Sequence, residues 1–163
     1  MSLHYLLDGY NILKQMSAFN NLPLEDGRRG LLRWIGDSRP QGSVNNQVTV
    51  VFDGHPDHFG GNFQGDIRVI FSDGCSADDQ IKYMVEEDHD RKNCVVVSDD
   101  KDIFIYARSL GARVMSVPAF TATKTVRQNK AGRNQGSVEK YISLVRQEKI
   151  TKEFFQRWVG DKQ

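Results

Sequence analysis

Short apolar runs that close on an aspartate recur through this chain. They are Tyr5-Leu6-Leu7-Asp8, Val48-Thr49-Val50-Val51-Phe52-Asp53, Val69-Ile70-Phe71-Ser72-Asp73 and Val95-Val96-Val97-Ser98-Asp99-Asp100-Lys101-Asp102. Between the last two, Ser76-Ala77-Asp78-Asp79 opens a helical run. Continuous β-branched stretches this short suit strands buried on both faces. In an open α/β sheet, ligands bind just beyond the carboxyl ends of the strands. A chain that repeatedly delivers carboxylates to that edge builds an acidic pocket. The charges repel, so the pocket costs stability unless a cation neutralises it. Hard oxygen ligands of this kind suit Mg2+ or Mn2+. The pattern therefore predicts a divalent-metal site serving phosphate chemistry.

Strand and helix signals alternate along the chain. Strands are expected over 4–7, 47–52, 67–71, 93–98 and 112–117, the last ended by Pro118. The spacing predicts a helix over 24–39, with Leu24, Leu31, Leu32 and Ile35 on its apolar side. Pro40-Gln41-Gly42-Ser43 breaks it. Ser76 is placed to cap a helix over 77–89, with Asp79 at the capping-box position and Ile81, Met84 and Val85 facing the core. Asp99 or Asp100 caps a further helix to Leu110, and Gly111 stops it. Residues 54–66, rich in glycine, read as a long loop, and 136–148 and 152–159 as two closing helices. The expected architecture is a three-layer αβα sandwich with a mainly parallel central sheet. At 163 residues it is expected to be one domain over 1–163, with 121–136 a basic flexible segment and 137–163 the closing helices.

Composition narrows the class. No apolar run approaches the ~20 residues that span a bilayer, and the N-terminus lacks the pattern of a secretory signal. A cytoplasmic protein without a membrane partner is expected. Cys75 and Cys94 read as reduced thiols. His4, His55, His58 and His89 do not have zinc-ligand spacing, and the pair in His55-Pro56-Asp57-His58 is expected to be solvent-exposed. The net charge of +1 hides an asymmetry: 1–119 carry 12 basic and 17 acidic side chains, whereas 120–163 carry 10 and 4. Lys124, Arg127, Lys130 and Arg133 lie in a polar tract without hydrophobic periodicity. Taken alone, such a tract is a solvated loop. Beside an acidic metal site it suits a polyanionic substrate, with the cations holding phosphates.

Each carboxylate also has an ordinary explanation. An aspartate after a strand is often a turn or cap residue. Asp100 and Asp102 fit an N-cap and an acid that complements the helix dipole. That account does not require three acids in Asp99-Asp100-Lys101-Asp102.

Four motifs in order carry a family resemblance: Leu7-Asp8-Gly9-Tyr10-Asn11, Val51-Phe52-Asp53-Gly54, Ser76-Ala77-Asp78-Asp79-Gln80-Ile81 and Val96-Val97-Ser98-Asp99-Asp100-Lys101-Asp102. Leu110-Gly111-Ala112-Arg113-Val114 fits the strand that follows. The chain resembles the NYN domain, a branch of the PIN-like nuclease superfamily, and in particular its bacterial YacP-like members. The resemblance implies a metal-dependent endoribonuclease that leaves a 5′-phosphate and a 3′-hydroxyl. It implies Mg2+ or Mn2+ held by Asp8, Asp78, Asp100 and Asp102, with Asn11 orienting Asp8 or a water. Asp79 and Asp99 are rival registers, and Asp53 a supporting residue. Asp100 or Asp102 would take the proton of the attacking water. The implied substrate is single-stranded or flexible RNA, its phosphates on Lys124, Arg127, Lys130 and Arg133 and its bases on Tyr10, Phe59 or Phe63. Association with the ribosome and the oligomeric state are left open. Alternatives are a non-catalytic RNA-binding module of the same fold and a Mg-dependent phosphatase. The Asp-x-Asp of haloacid-dehalogenase-like phosphatases is absent, because Asp8 is followed by Gly9-Tyr10. A Toprim-like site would need Glu where Asp8 stands.

Overall fold

All five expected strands form, and each is set by its apolar run. They are β1 (His4–Asp8), β2 (Gln47–Asp53), β4 (Ile67–Ser72), β5 (Cys94–Val97) and β6 (Arg113–Met115), with a two-residue β3 (Phe63–Gln64) at the edge. The computed structural model describes residues 2–55, 63–64 and 66–128, without the side chains of 63–64 and 123–128. Sheet order is β3-β4-β2-β1-β5-β6. The five strands from β4 to β6 are parallel, and β3 joins β4 antiparallel. The chain thus winds from central β1 outward through β2 to β4, then returns to place β5 on the other side of β1. That reversal opens a crevice between the carboxyl ends of β1 and β5, where open α/β sheets bind ligands.

Helices cover both faces. On one, Leu7, Val50, Phe52 and Val97 pack against α1 (Gly9–Gln15), α2 (Leu24–Ser38) and α5 (Val117–Gln128), represented by Ile12, Leu31, Ile35 and Phe120. On the other, Leu6, Val51 and Val96 pack against α3 (Ala77–Glu87) and α4 (Lys101–Ser109), through Ile81, Val85, Ile103 and Ala107. Alternation along each strand sends successive side chains to opposite layers. The αβα sandwich with a mainly parallel sheet is therefore as expected. Among the described residues, no helix is long and apolar enough to cross a membrane.

Several local expectations need correction. Gly9 opens α1, a helix not among those expected, which Asp8 caps. A Cβ there would lie 2.3 Å from Cε1 of Phe52, so any other residue would force α1 or that ring to shift. The last strand stops at Met115, short of the expected 117, and Pro118 instead helps to start a helix. Ser116 Oγ accepts from the Ala119 amide at 3.3 Å, so Pro118 falls in the first turn of α5, where its missing N–H costs nothing. The front of the basic tract, 121–128, is accordingly helical rather than an irregular flexible segment. Leu24, expected in the core, is 55% exposed, while Arg28 one turn later is 8% exposed. The buried face of α2 runs through Gly27, Arg28, Leu31 and Ile35. The closing helices over 136–148 and 152–159 lie outside the described residues.

Candidate active site

Asp8 is the buried end of β1, at 7% exposure. Its Oδ1 accepts from the Asn11 amide at 3.1 Å, capping α1. Its Oδ2 accepts from Ser98 Oγ at 3.0 Å. Ser98 follows β5 and is itself buried, and its Oγ also accepts from the Asp100 amide at 3.1 Å. One hydroxyl therefore ties the ends of β1 and β5 across the crevice and sets the register of the Asp100 loop. Asp100 caps α4, its Oδ1 accepting from the amides of Asp102 at 2.8 Å and Ile103 at 3.2 Å. Among the described residues, nothing donates to its Oδ2. Asp78 enters from the first turn of α3, half-buried.

These three carboxylates sense one another. Burial raises Asp8 above its ordinary 3.8; the bonds from Asn11 and Ser98 oppose that rise, Asp100 adds to it, and Lys14 opposes it. Asp78 is raised from 3.8 first by burial, then by Asp100 and Asp8, with Lys82 opposing and Asp79 adding. Three elements distant in sequence thus deliver negative charge to one place, and the nearby lysines do not cancel it.

The remaining acids fall elsewhere. Asp79 is exposed and engaged at the expected cap of α3, accepting from Ser76 Oγ, not from its amide, at 2.8 Å while its own amide donates to that oxygen at 3.1 Å. Asp99 accepts from the Val117 amide at 3.0 Å and so anchors the start of α5. Asp102 is exposed in the first turn of α4. Asp53 is exposed at the end of β2 and accepts from Ser72 Oγ at 3.1 Å. Asp73 faces His55 at 3.2 Å, both exposed. Asn11 contacts Asp8 through its backbone, while its side-chain oxygen accepts from Gln15 Nε2 at 2.7 Å.

Tyr10 is half-buried beside this site, its ring 5.4 Å from that of Phe52. Its hydroxyl receives a hydrogen bond from Arg28 Nη2. Arg28 escaped the sequence reading, although its spacing to Leu31 and Ile35 put it on the buried stripe of α2. Lys124 and Arg127 fall on α5; Lys130, Arg133, His58 and Phe59, and the side chain of Phe63, lie outside the described residues.

The donor set suits a hard divalent cation. Its oxygens are carboxylates, one oxygen of Asp100 has no donor among the described residues, and Lys14 and Lys82 offset the repulsion only in part. Among the described residues, however, no three His, Cys, Asp or Glu side chains are gathered closely enough to hold a metal ion. Mg2+ commonly keeps most of its waters and takes only one or two carboxylates directly. Asp8, Asp78 and Asp100 are the residues that would hold it.

A family model for the YacP-like NYN domain matches residues 5–159. Two crystal structures of Rae1 (YacP) from Bacillus subtilis share the fold at 20% sequence identity. A point mutant aligns with TM-score 0.62 over 89% of this chain and 92% of that one. The other structure aligns with TM-score 0.60 over 99% and 97%. A search of curated proteins found no match.

Proposed function

This chain belongs to the YacP-like NYN domain family, a PIN-like family of nuclease type, and we propose that it is a Mg2+- or Mn2+-dependent endoribonuclease with its centre at Asp8, Asp78 and Asp100. What supports this reading is that Asp8, Asp78 and Asp100 influence one another electrostatically, burial and the neighbouring carboxylates raising Asp8 and Asp78. A surface without a cationic ligand gains nothing from such an arrangement.

A divalent cation bound there would neutralise the carboxylates and polarise the scissile phosphate. Asp8 is held by two hydrogen bonds and would serve as a fixed, water-poor ligand. Asp100 keeps Oδ2 free to orient the attacking water and accept its proton. Asp102, at the exposed rim, assists from the solvent side. In-line attack by water leaves a 5′-phosphate and a 3′-hydroxyl. The substrate is single-stranded or flexible RNA, because the backbone must bend into a crevice at the sheet edge. Lys124, Arg127, Lys130 and Arg133 would hold its phosphates, and ribosome-bound RNA is an admissible substrate. The family match over nearly the whole length supports one domain over 1–163.

Asp8→Asn and Asp100→Asn are each expected to reduce RNA cleavage in Mn2+ by at least about 100-fold with the fold intact. Asp102→Asn is expected to cost less. Circular dichroism and end-group analysis of the products check both points. Undiminished cleavage by both of the first two variants would place hydrolysis elsewhere and leave an RNA-binding role.

A further inference from the structure

Arg28 has no task in the chemistry above, yet it occupies an expensive position. It is 8% exposed on the core side of α2. Its guanidinium carbon lies 5.3 Å from the ring centroid of Tyr10, 5.5 Å from that of Phe52 and 5.1 Å from that of Phe71. Nη2 donates to the Tyr10 hydroxyl, and Nε is buried with no hydrogen-bond partner. Among the described residues, no carboxylate pairs with it. Arginine cannot shed its charge. Aromatic faces offset part of the cost of burying that charge, but they do not supply hydrogen-bond acceptors for its donors. A leucine or methionine would fill the same core position without that cost.

The position of the cage says where an anion would come from. Tyr10 follows Asp8 by two residues, Phe52 precedes Asp53, and Phe71 precedes Ser72 at the end of β4. All three rings therefore stand toward the same carboxyl edge as the acidic crevice, in the layer of α1 and α2 rather than that of α3 and α4. Arg28 is not the counter-ion of that crevice: the lysines that oppose the rise of Asp8 and Asp78 are Lys14 and Lys82. We infer that Arg28, framed by Tyr10, Phe52 and Phe71, is a phosphate subsite that takes a non-scissile backbone phosphate of the substrate beside the catalytic carboxylates. The planar fork of donors matches a phosphodiester, and Tyr10, which contacts it, is only half-buried. That the phosphate belongs to RNA rests on the function proposed above; the phosphate chemistry does not.

The test uses the full chain. In 15N-labelled protein, the Arg28 Nε–Hε resonance, assigned by its loss in Arg28→Lys, is followed while inorganic phosphate is added. A saturable shift is expected, and a resonance that phosphate leaves unmoved overturns the subsite. Binding of a single-stranded 2′-O-methyl oligonucleotide is then measured in EDTA over a range of salt. Arg28→Gln should weaken binding about tenfold and reduce the slope of log K against log salt by about 0.7, one phosphate contact on a single strand. Arg28→Lys should fall between it and the wild type. A lower melting temperature with affinity and slope unchanged would make Arg28 a structural cation and overturn the inference. Wild-type protein that binds phosphate at Arg28 but no oligonucleotide would overturn the RNA reading and leave the subsite standing.

Discussion

Ser98 shows how much of this site depends on one small side chain. Its hydroxyl donates to Asp8 Oδ2 at 3.0 Å and accepts from the Asp100 amide at 3.1 Å, across 90 residues of sequence for the first contact. The bond to Asp8 favours the ionised carboxylate and opposes the effect of burial. Ser98→Ala removes that support, so Asp8 rises further and must be deprotonated at a higher pH. The acid limb of the pH–rate profile should move to higher pH, and cleavage should fall by about 10- to 100-fold. An unmoved acid limb would show that Asp8 is not the titrating group. Asp99 provides the contrast, since its carboxylate is engaged with the Val117 amide. Asp99→Ala should cost about 1 kcal/mol of stability, as loss of a helix cap does, and leave the chemistry almost unchanged. Urea titration and a cleavage assay on one preparation separate the two effects.

At the scale of elements, α1 is the part least secured by its own sequence. Seven residues cannot sustain a helix alone, because nucleation is costly and the run is short. It stands because Asp8 caps it and because Ile12 and Leu13 are buried against the sheet and α2. Gly9 lets it approach Phe52, with room for no Cβ. Gly9→Ala should therefore displace α1 or the Phe52 ring and destabilise the protein by about 1–3 kcal/mol. The displacement would also disturb Tyr10 and the Asp8 cap, so activity should fall more than stability alone accounts for. Chemical unfolding combined with cleavage rates at a temperature where the variant is fully folded checks this. In α2, Arg28 interrupts a stripe otherwise made of Leu31, Ile35 and small residues. A cation on the buried side of an amphipathic helix breaks the binary pattern, and such breaks concentrate at functional positions.

For the whole molecule, the acidic edge links folding to pH and to metal. Asp8 and Asp78 both stand above their ordinary 3.8 in the folded state. The native protein therefore holds their protons more tightly than the unfolded chain does. The stability they contribute is fully present below 3.8 and is lost as pH rises through their raised values. In EDTA, the two groups should weaken the fold on the neutral side of that window. Mn2+ or Mg2+ should restore the loss by binding the native state. Thermal unfolding should show a metal-induced rise in Tm at about pH 7 that shrinks toward about pH 4, where protons compete for the carboxylates. Asp8→Asn should raise Tm in EDTA and abolish most of the metal response, a trade of stability against function. Equal Tm with and without metal at neutral pH would count against a site on this edge.

The sequence by itself determined the strands and most of the helices. Val95-Val96-Val97 and Val48-Thr49-Val50-Val51-Phe52 are too short and too β-branched to be anything but buried strands, and both are. Ser76 and Asp100 cap helices because a hydroxyl or carboxylate placed there meets free backbone amides a few residues on. These are short-range effects, legible over a few residues, and they placed Asp8, Asp78 and Asp100 at element ends. Which of the aspartates come near one another was not legible in that way. Asp79 and Asp99 have the same type and setting as their neighbours, but each is committed to a local cap or tether. Strand order decided the matter by bringing β5 beside β1, so that Asp8 reaches Ser98 and feels Asp100. Tertiary packing alone also buried Arg28 among three rings, folded residues 9–15 into α1 and turned Pro118 into the start of a helix. Each depends on contacts between segments far apart in the chain, whose energies exceed the local preferences that a sequence displays.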